Sequence, residues 1–301
     1  MFESQNGRGK ELEAYNLLKA FHIRAMSGST QAEKIECDKQ WEDAALFVKE
    51  NGVQLDLLRQ LFNEQLYRPR VWARGDDAYM FSKKKVDEFK GVTIDNDSSI
   101  DYPYQNILVQ QSFANHLMRM MNMGLFKIKS RFVHGDSEKM NPFVSMHQQI
   151  LNGKAFFDYA ETYVEIYKRL FIDLESSQLQ QFKEFYKKYC HYEKYNWRKG
   201  DGYIREVYKS AVMAVFDKFG ENGLNDLYEA LFVCLYRFRL SLKQVRYNTM
   251  AKADNSGWIF QTLHNAKTMV DLQIIKQKAL QFKESIDIHY NLEAIKPIFQ
   301  K

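Results

Sequence analysis

A short polar turn near the beginning of the sequence combines groups that suit a phosphate. Asn6 supplies an amide, Arg8 and Lys10 supply two cations, and Gly9 leaves backbone N–H groups accessible ahead of a predicted amphipathic helix. The first turn of a helix favours an anion, because the helix dipole and the unpaired N–H groups both attract negative charge. The alternative is structural, with Asn6 and Gly9 shaping the turn while the leucines that follow dock the helix. The residues alone leave both interpretations open.

A second candidate is the segment 230–253, which contains five basic residues and no acidic one. If the segment is one helix, Arg239, Lys243 and Arg246 each follow a residue of its apolar stripe, and together they form a basic ridge beside that stripe. Such a ridge could neutralise the phosphates of a nucleic acid, and each contact would add to the affinity and to its dependence on salt. A solvated helix face that pairs with acidic neighbours is the alternative.

A third candidate is the segment 183–199, in which basic residues alternate with tyrosines and a tryptophan. Lys187, Lys188 and Arg198 are its candidate contacts with nucleic acid, and the segment ends at a glycine-broken loop, where functional residues are common. Aromatic residues at helical spacing also pack in cores, so a structural role is the alternative. A weaker basic group lies around Trp72 and is offset by two aspartates; its members are Arg68, Arg70 and Arg74.

No sequence motif for metal-dependent or nucleophilic catalysis accompanies these basic residues. The seven histidines never occur at His-x-x-x-His spacing, and the Walker A, serine-hydrolase and His-Asn-His patterns are missing. His134 with Asp136 is ordinary loop chemistry and defines no active site. The three cysteines are far apart and predict reduced thiols rather than a disulfide or a zinc site. We therefore expect no catalytic residue, metal ligand or cofactor in this chain.

The composition predicts a helical protein with a mild excess of positive charge. Of 301 residues, 45% are hydrophobic, and the 22 phenylalanines and 18 tyrosines outnumber the 14 glycines and 4 prolines, whereas a β-sandwich needs frequent turn residues. The net charge of +5 makes contact with phosphate plausible. The sequence has neither an apolar run of about 18 residues nor a charged leader followed by an apolar segment. This predicts an unexported, cytoplasmic protein that does not span a membrane.

Apolar stripes at helical spacing recur along the chain and predict an all-α, multi-helix bundle. Thr30 and Glu33 form a capping box at the start of one helix, which is expected to continue to a turn at residues 51–52. Further helices are expected over the ranges 54–67, 105–123, 156–170, 179–189, 208–219, 224–249 and 268–283.

The opening segment resembles a bacterial protein family that includes the GmrSD-type restriction endonucleases. The residues Phe2-x-x-x-Asn6-x-x-Gly9-x-x-Leu12, followed by Leu17-Leu18-Lys19, are similar to the second signature of that family. The downstream stretch Asn152-Gly153-Lys154-x-Phe156-Phe157 is similar to one that recurs in a branch of the family. The first family signature, Asp-Gly-Gln-Gln-Arg, is absent from the sequence. The resemblance therefore implies a truncated, C-terminal portion of such a protein.

The resemblance also implies that this chain supports a missing N-terminal domain of the same protein. In the family, the first signature belongs to a ParB-like domain that processes nucleotide or DNA, and Asn6, Arg8, Gly9 and Lys10 would line the edge of its site. A nucleotide and a divalent metal would then act in the full-length protein, with DNA as a candidate partner and defence against foreign DNA as the biological role. A helical protein-interaction scaffold without nucleic-acid binding is the alternative.

The helical pattern weakens between residues 69 and 103, where polar and glycine-containing stretches are typical of loops. We place a boundary there and predict two helical subdomains. Residues 1–95 would be the helical tail of the ParB-like domain, and residues 96–301 would be a C-terminal helical bundle.

Overall fold

The computed structural model describes residues 13–49, 52, 54–93, 144–174, 179–190, 198–286 and 294–300. The described chain is predominantly helical, which confirms the prediction of an all-α, multi-helix bundle. Its α-helices are α1 (Ala14–Ala25), α2 (Gln31–Ala45), α3 (Leu57–Gln60), α4 (Tyr67–Ala73), α5 (Lys154–Tyr167), α6 (Gln180–Cys190), α7 (Lys199–Ser241), α8 (Tyr247–Ala251), α9 (Trp258–Asn265), α10 (Gln273–Ser285) and α11 (Lys296–Phe299). Three π-helices (Leu61–Leu66, Lys168–Ile172 and Ala253–Gly257) and two 3₁₀-helices (Lys83–Phe89 and Met269–Leu272) connect them. The helix predicted at 105–123 lies outside the described residues.

The start of α2 matches the sequence prediction, and its end does not. The Thr30 hydroxyl accepts a hydrogen bond from the Glu33 backbone N–H, and the Glu33 carboxylate accepts one from the Thr30 N–H at 2.8 Å, as a capping box requires. The helix was expected to reach residue 51, but it ends at Ala45. The chain then forms a short antiparallel hairpin of β1 (Phe47–Val48) and β2 (Gln54–Leu55). Phenylalanine and valine favour strands, so the hairpin competes with the helix here.

Helix α7 is the central element of the bundle and differs from the prediction in two ways. The two helices expected at 208–219 and 224–249 are joined, with a kink at Gly220. The φ angle of Gly220 is 65°, a backbone conformation that glycine adopts without strain. The second half ends at Ser241 because Leu242 is extended, with φ −114° and ψ 134°. The predicted helix 224–249 is therefore wrong beyond Ser241. Helix α7 packs against α6, α8, α9, α10 and the π-helix Leu61–Leu66.

One continuous apolar core joins helices from both predicted subdomains. The Trp72 ring of α4 stacks on the Phe260 ring of α9 with centroids 4.6 Å apart, and the Trp72 indole donates a hydrogen bond to the Ala251 carbonyl at 2.8 Å. Helices α2 and α5 also pack together across the predicted boundary. The boundary near residue 95 stays a prediction, because residues 94–143 lie outside the described ranges.

No helix among the described residues is both long enough and apolar enough to cross a membrane.

Candidate nucleic-acid interface

The predicted phosphate-binding turn cannot be placed on this fold. Its four residues lie outside the described residues: Asn6, Arg8, Gly9 and Lys10. The helix that follows them, α1, begins at Ala14 and buries Leu18 completely while Leu17 stays exposed. Leu18 therefore packs α1 against the core. A role of the preceding turn in binding phosphate stays a prediction.

The structure corrects the geometry of the predicted basic ridge. Arg239 is buried, and its guanidinium Nε lies 2.8 Å from a carboxylate oxygen of Asp201 in the first turn of α7. Arg239 therefore cannot be a surface contact, since a buried charge needs a fixed partner. Lys243 and Arg246 are exposed, but they lie beyond the end of α7 rather than on it. Burial raises the pKa of the Asp201 carboxyl, although the Arg239 guanidinium acts in the opposite direction.

The chain beyond α7 folds back onto the beginning of the same helix. A Cβ atom placed on Gly200 would lie 2.8 Å from the Val245 carbonyl oxygen and 3.2 Å from the Val245 Cβ, so only glycine permits this approach. One turn later, the Tyr203 and Tyr247 rings meet edge to face, with centroids 5.4 Å apart. Val245 is buried. The loop 242–246 therefore lies directly against the N-terminal end of α7.

The end of α6 reaches the same part of α7. The Arg205 guanidinium donates a hydrogen bond to the carbonyl of Cys190, the last residue of α6, at 3.0 Å. Gly200 and Arg205 are only about 8 Å apart along the helix axis at 1.5 Å per residue. Lys187 and Lys188 lie in the last turn of α6. Two basic segments that are about 50 residues apart in sequence therefore both contact the first two turns of α7.

We call this surface the basic end; its cations are Lys187, Lys188, Arg198, Lys199, Arg205, Lys243 and Arg246. Five of them are residues that the sequence predicted as nucleic-acid contacts, and the structure brings these five to one end of α7. Lys188, Lys199, Lys243 and Arg246 are exposed, and the other three are half-buried. Sequence reasoning missed Arg205, because its place is defined by contact with α6 and by no local motif.

The aromatic residues that the structure describes near the basic end pack against other side chains. Tyr186 and Tyr236 are buried, and the Tyr236 ring stacks on Phe232 with centroids 4.0 Å apart. Tyr247 is half-buried against Tyr203. Stacking on nucleic-acid bases requires an exposed ring face. The described part of the basic end is therefore suited to contact phosphates rather than to read bases.

A buried polar network holds the second turn of α7 in position. The Glu206 carboxylate accepts hydrogen bonds from Gln60 at 3.0 Å, from Gln65 at 2.8 Å and from the Lys209 ammonium at 2.9 Å. Lys209 also donates to the Tyr167 hydroxyl at 3.0 Å. Burial acts to raise the pKa of the Glu206 carboxyl, but Lys209 and the two amides outweigh it, so the net pKa is lowered. The network ties α3, the following π-helix and α5 to α7.

Arg68 has a comparable structural role next to α8. Its side chain is fully buried and donates to the Glu64 carboxylate at 2.5 Å, to the Ala78 carbonyl at 3.1 Å and to the Met250 carbonyl at 3.1 Å. Its guanidinium also lies over the ring of Tyr247, 4.8 Å from the centroid. Arg68 therefore anchors α8, the helix that directly follows Arg246.

The other two arginines around Trp72 are structural as well. Arg70 donates to the carbonyls of Met146 at 3.0 Å and Gln148 at 2.8 Å. Arg74 makes two hydrogen bonds to the Glu88 carboxylate, at 2.7 and 2.9 Å. Arg68 and Arg70 therefore belong to an internal network of side chains and carbonyls, whereas Arg74 is exposed and forms a surface ion pair with Glu88.

The described residues contain no cluster of three or more histidine, cysteine or carboxylate side chains that could hold a metal ion. The three cysteines are buried free thiols, and burial raises the pKa of both Cys190 and Cys234 to about 12. A thiol with so high a pKa is a weak nucleophile at neutral pH.

Fold and surface together define an all-α protein in which seven cations lie near the N-terminal end of a long central helix. The chain belongs to a family of unknown function, DUF7834, whose model matches residues 33–290. The match includes every residue of the basic end, whereas the predicted phosphate-binding turn precedes it. Neither a curated protein nor a solved structure matches the chain. The resemblance to GmrSD-type endonucleases stays a prediction.

Proposed function

We propose that this protein binds nucleic acid through the phosphates, using the basic end as its contact surface. The observation that carries the proposal is the packing of Gly200 against Val245, which brings Lys199 together with Lys243 and Arg246. The N-terminal end of α7 adds the positive end of a helix dipole to these cations. The nearby acid Asp201 pairs internally with Arg239 and does not neutralise the surface.

The expected strength of this binding follows from the number of exposed cations. If Lys188, Lys199, Lys243 and Arg246 each neutralise one phosphate of duplex DNA, log K falls with log salt at a slope of about −3.6. Affinity then falls roughly 100-fold between 50 and 200 mM salt. Without an exposed aromatic platform in the described surface, little discrimination between base sequences is expected.

In its biological setting, we propose that this binding serves a cytoplasmic DNA-defence protein of the GmrSD type. The chain would hold DNA beside an N-terminal catalytic domain, where nucleotide and divalent metal would act. The alternative, a helical interaction scaffold, is favoured by three exposed apolar residues at or near the two ends of α2: Ile35, Leu46 and Val48 are 58%, 55% and 57% exposed.

The test is fluorescence anisotropy with labelled 20-base single-stranded DNA, duplex DNA and RNA at 50, 100 and 200 mM KCl. The charge-reversal variant combines Lys199→Glu, Lys243→Glu and Arg246→Glu. Its matched control combines Lys39→Glu, Lys84→Glu and Lys85→Glu, which are also exposed and change the net charge equally.

We expect the first variant to lose binding and its salt dependence, and the control to keep most of both. Equal losses of affinity in the two variants would show that the nucleic acid is attracted to the net charge of the protein rather than to the basic end. A wild-type protein that binds none of the three probes at 50 mM KCl would overturn the proposal and favour the scaffold alternative.

A further inference from the structure

The outer face of α2 carries a row of two apolar and two charged residues. Its members are Ile35, Lys39, Glu42 and Leu46, the last of which directly follows the helix. Residues with spacings of four, three and four lie within about 60° of one another around a helix axis. We call these four residues the α2 stripe. The opposite side of the helix is buried in the core and carries Cys37, Trp41 and Ala44.

All four residues of the α2 stripe are accessible at the surface. Ile35 is 58% exposed and Leu46 is 55% exposed. Lys39 is exposed and has no ion-pair partner among the described residues. The exposed Glu42 carboxylate accepts a hydrogen bond from Lys19 through Oε1 at 2.5 Å. Single exposed apolar residues are ordinary on a protein surface. Here, however, two of them flank opposite charges on one face of a helix.

The order of residues makes the α2 stripe complementary to itself. The spacing is the same from either end, and the residue types read apolar, charged, charged, apolar, with the two charges of opposite sign. A two-fold axis that relates two antiparallel helices places the stripe of one copy against the reversed stripe of the other. Ile35 then lies beside Leu46 of the second copy, and Lys39 lies beside Glu42 of the second copy.

The charges favour this antiparallel arrangement over a parallel one. A parallel two-fold pair would place Lys39 against Lys39 and Glu42 against Glu42, and like charges in contact are unfavourable. In the antiparallel pair, Asp43 also lies near Lys39 of the second copy, because both residues are on the same side of the stripe. Asp43 is exposed. Each Lys39 therefore faces two carboxylates of the other copy.

We propose that this protein forms a weak two-fold dimer in which the α2 stripes of two copies pack antiparallel against each other. A helix of 15 residues is about 22 Å long, so this contact buries only a few hundred Å² on each copy. A standard interface buries about 800 Å² per partner, so we expect a dissociation constant on the order of 100 µM.

The test is analytical ultracentrifugation of the full chain at 5, 50 and 500 µM in 100 mM KCl, without nucleic acid. We expect the wild type to change from monomer to dimer across this range. Lys39→Glu and Glu42→Lys each place like charges against each other in the dimer, so each should weaken dimerisation at least tenfold. Lys84→Glu is the control, because Lys84 is exposed and lies outside the stripe.

Mixing the two single variants is the most specific measurement. In a mixed dimer of Lys39→Glu with Glu42→Lys, an acid faces a lysine at both central positions, so the mixture should dimerise about as well as the wild type. A variant that had lost its fold could not be rescued in this way. Glu42→Lys should fold, because Lys19 retains its ion pair with Asp38 at 2.7 Å.

The apolar part of the contact is tested separately. Ile35→Ser combined with Leu46→Ser should weaken dimerisation at least tenfold, because both apolar contacts are removed from each end of the interface. Val270→Ser is the control, since Val270 is 76% exposed and lies on a different helix. Melting curves by circular dichroism should be alike for all variants, since the substituted side chains are exposed.

A wild-type protein that remains monomeric at 500 µM would overturn the proposal and leave the α2 stripe to a different protein partner. Single charge variants that dimerise like the wild type, or a mixture of them that does not dimerise, would also overturn it. The α2 stripe and the basic end share no residue, so this proposal and the proposed binding of nucleic acid can fail independently.

Discussion

The arginines around Trp72 and the cations of the basic end differ in what surrounds them. Arg68 is fully buried and has the Glu64 carboxylate and two backbone carbonyls as fixed acceptors. Lys243 and Arg246 are exposed in a loop next to the beginning of a helix. A guanidinium whose N–H groups donate to acceptors inside the protein stabilises the fold. Cations that point to solvent at a helix N-terminus remain available to an external anion.

Arg239 shows that the sequence does not distinguish buried, paired cations from exposed ones. It belongs to the same run of basic residues as Lys243 and Arg246, yet the partner that defines its role is Asp201, far away in sequence. Burial and a fixed carboxylate assign Arg239 to the structural group.

The largest effect is expected for Arg68→Ala. The substitution leaves the partly buried Glu64 carboxylate without its cation and two buried carbonyls without their donor, so the free energy of unfolding should fall by about 3 kcal/mol. Urea denaturation followed by circular dichroism measures this. Arg246→Ala is the control, with an expected change within about 0.5 kcal/mol. A loss of similar size in both variants would contradict the division into buried and exposed cations.

Arg239→Ala should lower stability without weakening nucleic-acid binding. The variant leaves Asp201 buried and unpaired, so we expect the free energy of unfolding to fall by about 3 kcal/mol. The salt slope of nucleic-acid binding should stay at the wild-type value, measured where the variant is fully folded. A normal stability together with a shallower salt slope would place Arg239 on the binding surface after all.

The comparison of buried and exposed basic groups extends to His22, which is buried and uncharged. Its Nε2 donates to the Phe89 carbonyl at 2.9 Å, and its Nδ1 accepts from the Gly153 N–H at 3.3 Å. Burial lowers the pKa of His22 to about 4, and the nearby Lys90 ammonium acts in the same direction. Between this value and about 6.5, the unfolded chain binds more protons than the folded one, so stability falls with falling pH.

For His22, we expect the free energy of unfolding to fall by up to roughly 3 kcal/mol between pH 6.5 and pH 4, with no contribution above pH 7. Urea denaturation at several pH values, for wild type and His22→Phe, isolates this contribution because other titrating groups, including His147, are present in both. The two proteins should differ in slope across this window. Identical slopes would show that His22 is not held in its neutral form.

Single substitutions at the basic end are expected to change stability least. Each should change the salt dependence of nucleic-acid binding. Lys243→Ala and Arg246→Ala each remove one phosphate contact, so each should make the salt slope shallower by about 1 while changing stability by less than about 0.5 kcal/mol. Anisotropy titrations at three salt concentrations measure the slope. Lys84→Ala is the control and should leave the slope unchanged.

The sequence predicted the helical class and several helix positions because these depend on local patterns. Thr30 and Glu33 are three residues apart, so the capping box of α2 could be recognised, and it is present. The end of α7 could not be predicted, because residues 242–246 leave the helix to pack on Gly200, a contact between positions that are far apart in sequence. For the same reason, the prediction placed Arg239, Lys243 and Arg246 on one helix, whereas only Arg239 lies on α7.

The candidate sites show the same limit. Lys187, Lys188, Arg198, Lys243 and Arg246 were recognised by their charge, but their convergence depends on how α6 and loop 242–246 meet α7. A sequence shows which residue types are present, but which of them lie close together depends on the tertiary structure.

We propose that residues from α6, α7 and loop 242–246 form one nucleic-acid-binding surface. The most direct test is lysine acetylation, read by mass spectrometry, with and without saturating duplex DNA at 50 mM KCl. We predict that Lys188, Lys199 and Lys243 are protected together, while Lys39, Lys84 and Lys85 are acetylated equally in both samples. Protection of the second set, or of only one member of the first, would contradict a single surface at the N-terminal end of α7.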